Sequence, residues 1–155
     1  MAVIVRDAQL HDLAAIVEFN ARLALETEHK TLDREVLTRG VSRALAEPGR
    51  LRYWVAADSE AAQVVGQVGS TREWSDWRDG WVWWLQSVYV EASSRGQGVF
   101  RALHGHVRNL ARSDPNVIGL RLYVETSNHR AQDAYRALGL ATGGYDVYEE
   151  IWMPS

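Results

Sequence analysis

The 155-residue chain has no cysteine, which excludes disulfides, thiolate zinc sites and a cysteine nucleophile. Lysine is almost missing too: Lys30 stands alone, and every other basic side chain apart from histidine is arginine. No apolar run approaches the roughly 20 residues of a membrane-spanning helix. The opening MAVIVRDAQ meets charge too early for a secretory leader, so a cytoplasmic location and no membrane partner are expected. Net charge is −3, without the basic surplus of a general nucleic-acid binder. His104 and His106 share no ligand spacing with a third group, so no metal site is expected.

What is present is an ordinary globular composition, 46% hydrophobic and 24% charged, with length for one core. Ala2 to Val5 reads as a short buried strand. Asp7 is then a candidate cap for a helix with Leu10, Leu13, Ile16, Val17, Leu23 and Leu25 at helical spacing. A second helix is expected from about Leu32 to Glu47, stopped by Pro48-Gly49. Tyr53 to Ala57, Val64 to Thr71 and Trp81 to Val90 read as strands, the last two joined by a turn carrying Trp74, Trp77 and Asp79-Gly80. Val99, Leu103, Val107 and Leu110 mark a third helix. Val117 to Val124 reads as a strand, Asn128 to Gly139 as a helix and Tyr145 to Met153 as a closing strand. The expectation is one mixed α/β domain over 1–155 in the order β-α-α-β-β-β-α-β-α-β.

The segment Val88 to Arg101, VYVEASSRGQGVFR, carries the most chemical information. A strand pattern enters a turn of small residues and presents Arg95-Gly96-Gln97-Gly98 just as a helical pattern begins. Unpaired amides at a helix start, with the macrodipole behind them, attract an anion. Glycine permits angles and approaches that a Cβ would block. An ordinary loop would use the same residues. There is no third glycine in the dinucleotide register and no following Gly-Lys-Ser/Thr for a nucleoside triphosphate.

Two motifs in this order resemble the GNAT superfamily of N-acetyltransferases. One is Val88-Tyr89-Val90 followed by Arg95-Gly96-Gln97-Gly98; the other is Asn128-x-x-Ala131-x-x-x-Tyr135-x-x-x-Gly139. The spacing is similar to that of diamine acetyltransferases. The resemblance covers the whole chain and implies a mostly antiparallel sheet splayed between its fourth and fifth strands. It also implies acetyl-CoA as cofactor, with its pyrophosphate on Arg95, Gly96, Gln97, Gly98, Val99, Phe100 and Arg101. Val88, Tyr89 and Val90 would then run beside the pantetheine arm, and Asn128, Arg130 and Tyr135 would line it from the second motif. Phe100 replaces the family's usual small residue, and neutral Gln86-Ser87 stands where diamine acetyltransferases carry an acidic pair.

Acetyl transfer to an amine needs a polarised carbonyl, a proton for the leaving thiolate and a neutral nucleophile. A backbone N–H near Val88 is the expected carbonyl partner. Tyr135, a phenol with an ordinary pKa near 10, is the expected acid; as a core aromatic it would need no such role. Asn128 would serve equally as a helix cap. Glu28 is the candidate base. Glu26, Glu28, Trp74, Trp77, Gln86 and Ser87 are candidates for the acceptor side, although solvated glutamates at a helix junction would look the same. The clustered tryptophans suit an acceptor wall, a homodimer contact or plain core packing. The expected activity is acetyl-CoA-dependent N-acetylation of a small primary amine by direct attack. The rival readings are a non-catalytic acyl-CoA sensor and an aromatic-rich interaction module.

Overall fold

A computed structural model describes residues 1–153 in two compact units, Met1–Tyr123 and a second that begins at Val124. The first holds five strands: β1 (Val3–Asp7), β2 (Arg52–Asp58), β3 (Val64–Ser75), β4 (Gly80–Val90) and β5 (Val117–Leu122). They lie in the order β1-β2-β3-β4-β5. The first four pair antiparallel, and β5 runs parallel to β4. Three helices accompany them: α1 (Leu13–Glu28), α2 (Arg34–Ala46) and α3 (Val99–Ser113).

Strand alternation divides the core between two faces. Trp54 on β2 packs in a cluster with Val68, Leu85 and the α3 residues Val99, Leu103 and Val107. Its neighbour Val55 packs with Ile16 and Val17 of α1 and Val41 and Ala44 of α2. The helix after the glycines owes its docking to Val99, Leu103, Val107 and Ala111, buried at a four-residue interval; each large one contributes roughly 1.5–3 kcal/mol. No helix among the described residues is long and apolar enough to cross a membrane.

Several expectations are corrected. Asp7 does not cap α1: it closes β1 and its carboxylate takes Arg52 Nε at 2.7 Å. A short 3-10 turn, Leu10–Asp12, precedes α1, and Asp12 receives the Gln9 N–H at 2.8 Å and Arg6 Nη1 at 2.8 Å. Trp74 is not in the hairpin turn: β3 extends through Ser75, and Trp74 pairs with Trp81 of β4, rings 5.0 Å apart and T-shaped. Cross-strand aromatic contacts of this kind lengthen a ladder beyond what turn residues alone suggest.

The second unit contains α4 (His129–Ala137), ended by Gly139 at φ 93°. The expected closing strand over Tyr145–Met153 is not formed. Its alternating pattern is real, but a strand exists only by pairing. Among its described residues the unit has no other strand, and Tyr145, Tyr148 and Trp152 stand exposed.

Candidate active site

The fourth strand supplies the first part of the site. Pairing between β4 and β5 begins at Trp81 with Val117 and ends at Leu85 with Leu122. From Gln86 to Val90, β4 continues without a β5 partner. One edge of that stretch therefore offers backbone N–H and C=O groups to whatever lies beside it. The pairing runs to the end of β5 at Leu122, and β4 continues beyond it.

Within this stretch the ladder to β3 slips. Gln67 faces Tyr89 and Gly69 faces Gln86, which leaves Ser87 and Val88 together opposite Val68. Two residues against one is a β-bulge. Ser87 sits at φ 53°, a left-handed angle that non-glycine residues adopt at a cost and that clusters at functional sites. Sequence pattern gave no sign of it, because serine is not a residue that a left-handed position calls for.

Beyond β4 the chain makes a 3-10 turn, Ala92–Ser94, closed by the Arg95 N–H on Ala92 O. Gly96 and Gly98 follow at φ 76° and 82°, with Gly98 as the N-cap of α3. No side chain caps this helix start. A Cβ built on either glycine would meet no protein atom within 4 Å. The loop is therefore glycine for its backbone angles and faces open space. Gln97 steadies it by donating Nε2 to Ser93 O at 3.1 Å. The first-turn amides carry the positive end of the helix dipole toward that space, which fits a pyrophosphate.

Arg95 and Glu26 do something the sequence did not disclose. Arg95 Nε donates to Val90 O at 2.9 Å, its Nη2 meets Glu26 Oε1 at 2.9 Å, and the guanidinium lies 5.3 Å from the Tyr89 ring centre. The arginine thus staples the end of α1 to the end of β4. Burial pushes the Glu26 carboxyl up, but hydrogen bonds from the Tyr89 hydroxyl and Arg95 outweigh it and hold it below the usual range. Burial, and then the Glu26 contact, raise the Tyr89 phenol. Arg101, on the first turn of α3, is exposed.

Glu28 ends α1 in a surface pair with Lys30 at 3.6 Å. Trp77 is 83% exposed at the hairpin tip. Gln86 and Ser87 are half-buried on the open stretch of β4. Sequence reasoning overlooked a neighbouring group: Trp84 lies 4.6 Å from Tyr123 between ring centres, and Arg121 pairs with Glu73 at 3.0 Å. Their spacing along three separate strands carries no local signal. His104 is buried on α3 beside Phe100, and burial followed by the charge of Arg108 lowers its pKa.

In the second unit Asn128 caps α4, its Oδ1 accepting the Ala131 N–H at 3.2 Å. Arg130 is exposed. Tyr135 is half-buried, and burial raises its pKa above the ordinary value.

Comparison with known proteins agrees with this geometry. The model of the acetyltransferase (GNAT) family matches residues 13–140. A possible acetyltransferase from Clostridium difficile 630 is 39% identical, with a TM-score of 0.89 over 99% of this chain and 100% of that one. A predicted acetyltransferase with acetyl-CoA from Clostridium acetobutylicum is 18% identical, with a TM-score of 0.76 over 96% of each chain. A ribosomal-protein-alanine N-acetyltransferase from Brucella melitensis biovar Abortus 2308 shares the fold at 15% identity and a TM-score of 0.77, over 97% of this chain and 99% of that one. Comparison with curated proteins gives no match. The matched span takes in the fourth strand, its bulge and the glycine turn that starts α3, and it covers most of the sequence: the chain belongs to the acetyltransferase (GNAT) family.

Proposed function

We propose that this chain transfers the acetyl group of acetyl-CoA to the primary amine of a small molecule, by direct attack with both substrates bound. The observation that carries the reading is the continuity of three features: the unpaired edge at Gln86–Val90, the bulge at Ser87 and Val88, and the left-handed Gly96 and Gly98 at the start of α3. Acetyl-CoA, when bound, supplies an acetyl group already activated as a thioester.

The chain's own groups divide the remaining work. Gly96 to Arg101 hold the pyrophosphate through backbone N–H groups, with Arg101 adding charge. Val88 and Val90 pair with the amides of the pantetheine arm as an added strand would. The Val88 N–H donates to the acetyl carbonyl oxygen and takes up the negative charge that develops there. Tyr135, whose phenol burial keeps protonated, gives its proton to the departing thiolate sulfur. Glu28 receives the amine's proton through water. Asn128 fixes the start of α4, and Arg130 extends the cofactor side. Gln86, Trp74 and Trp77 stand on the acceptor side with Ser87.

The acceptor reading follows from charge. Glu26 is held by Arg95 and Glu73 by Arg121, so the carboxylates around the open strand are already neutralised. Such a surface does not select a polycation. A single domain acting in the cytoplasm, as a homodimer, completes the proposal. Free thiol release from acetyl-CoA, screened against amines, amino acids and aminoglycosides, tests it. Turnover with at least one small amine is expected. Acetyl-CoA that neither raises the melting temperature nor is consumed with any acceptor would refute the transferase reading.

A further inference from the structure

The bulge on β4 has an unusual support. Gln67, near the start of β3, is fully buried. Its neighbours along the strand are Gly66 and Val68, and Val55 faces it from β2. Its Nε2 donates to Ser87 O at 3.0 Å, while its Oε1 is buried without a hydrogen-bond partner among the described residues. Exchanging the amide ends would set oxygen against oxygen, so the assignment follows from the contact itself.

A buried amide with one unanswered acceptor is a poor choice for stability, since a leucine would fill the position with no polar group to desolvate. The side chain is better explained by what it holds. Ser87 O belongs to the same peptide unit as the Val88 N–H. A trans peptide is planar and directs its C=O and N–H oppositely. Fixing Ser87 O on Gln67 therefore fixes the Val88 N–H in the direction away from Gln67. The left-handed Ser87 is the strained hinge that this hydrogen bond keeps in place.

We infer that Gln67 is a positioning residue: through Ser87 O it aims the Val88 N–H at the acetyl carbonyl. This rests on the reading of Val88 as the carbonyl's hydrogen-bond donor. Gln67 touches neither substrate nor cofactor.

The test uses the full chain as wild type, Gln67→Leu and Gln67→Glu. Isotope-edited infrared spectroscopy of acetyl-CoA labelled at the carbonyl carbon reads the hydrogen bond directly and needs no acceptor. The wild type is expected to lower the carbonyl stretch relative to free acetyl-CoA. Gln67→Leu is expected to lose most of that shift, to bind unacetylated coenzyme A within about twofold of wild type, and to melt no lower than wild type. With a working acceptor its kcat falls about 10- to 100-fold, somewhat less than complete loss of such a donor. In Gln67→Glu the protonated carboxyl still donates to Ser87 O and the carboxylate cannot. Burial raises that carboxyl's pKa, so the variant keeps the wild-type carbonyl shift at acid pH and loses it through one ionisation as pH rises. A wild-type shift in Gln67→Leu, or a pH-independent spectrum in Gln67→Glu, overturns the inference. If Gln67→Leu does not fold, the pH dependence of Gln67→Glu decides alone. A wild type that binds no acetyl-CoA fails the transferase reading itself, whereas a wild type with a normal shift that Gln67→Leu retains fails only the role of Gln67.

Discussion

Replacing Gly98 separates a phosphate cradle from an ordinary left-handed loop. At φ 82° an alanine is strained by about 1–2 kcal/mol, and fewer unfolded conformations return about 0.4–1 kcal/mol. No protein atom lies within 4 Å of the new Cβ, so packing adds nothing. Gly98→Ala should therefore lower the melting temperature by only a few degrees, since about 1 kcal/mol corresponds to roughly 2–4 °C at this size. Aspartate is the sharper probe. It tolerates left-handed angles better than alanine, and at an N-cap its carboxylate accepts the helix amides. Gly98→Asp should thus leave the free protein about as stable as wild type. Those amides are the ones assigned to the pyrophosphate. A carboxylate within about 5 Å of a phosphate charge opposes it by about 3 kcal/mol at an effective dielectric near 20, roughly a hundredfold in Kd. Wild type at acetyl-CoA near 100 Kd gains about 2.7 kcal/mol, or roughly 5–11 °C. Gly98→Asp at the same concentration should gain almost nothing. Gly144, at φ 81° with the same open surroundings, is the control: Gly144→Asp should keep the full shift. A Gly98→Asp protein that melts normally and retains the wild-type acetyl-CoA shift would place the phosphates elsewhere.

Tyr135→Phe should lower kcat by about 10² to 10⁴ with acetyl-CoA affinity nearly unchanged. Because burial raises the phenol's pKa, Tyr135 should add no loss of rate up to about pH 9; a wild-type ionisation between pH 7 and 9 that vanishes in Tyr135→Phe would contradict this. Arg95→Ala should cost at most about 1 kcal/mol of stability, as a partly exposed ion pair does. A double-mutant cycle with Glu26→Ala should show coupling, and acetyl-CoA affinity should barely move; a tenfold loss of affinity would return the Arg95 guanidinium to the phosphate site. Burial raises the Asp12 carboxyl, but the Arg6 hydrogen bonds and the Gln9 N–H more than offset it, so its pKa is lowered. A lowered carboxyl stabilises the fold above its unfolded pKa, and that contribution disappears as pH falls through the folded value. Asp12→Asn should cost about 2 kcal/mol at neutral pH in urea melts, and the gap from wild type should close below about pH 4. A constant gap down to pH 2 would refute the assignment.

Those predictions depend on sequence and structure to different degrees. The glycine turn was legible because its requirements are local: two left-handed residues two positions apart, met by Gly96 and Gly98, followed by a helix whose Val99, Leu103 and Val107 fall on one face. An open edge on the fourth strand was expected from family resemblance, and β4 does run on past the end of β5. Arg95 shows where local reading stops. Beside the glycines it looked like a phosphate ligand, yet Glu26, distant in sequence, claims its guanidinium, and no spacing rule encodes that contact. Trp84 meets Tyr123, and Arg121 meets Glu73, through strand register, which the sequence does not state. The closing strand failed for the opposite reason: Tyr145–Met153 has the alternation of a strand, but alternation describes a face, and a ladder needs a neighbour.

The bulge at Ser87 lies deepest in this order. Had the position been glycine, a left-handed residue inside a strand pattern would have been an obvious guess, since glycine there costs little. Serine at φ 53° means that the conformation is imposed from outside the residue, and the group in contact with its carbonyl is Gln67. The two choices are complementary. A glycine would reach the bulge easily and would also leave it easily, letting the Val88 N–H wander. A strained serine pinned by a buried amide has one direction available. Precision at the carbonyl's hydrogen-bond donor would then come from a strand that never touches the substrate, and a motif search over Val88 to Arg101 would pass over the residue that supplies it.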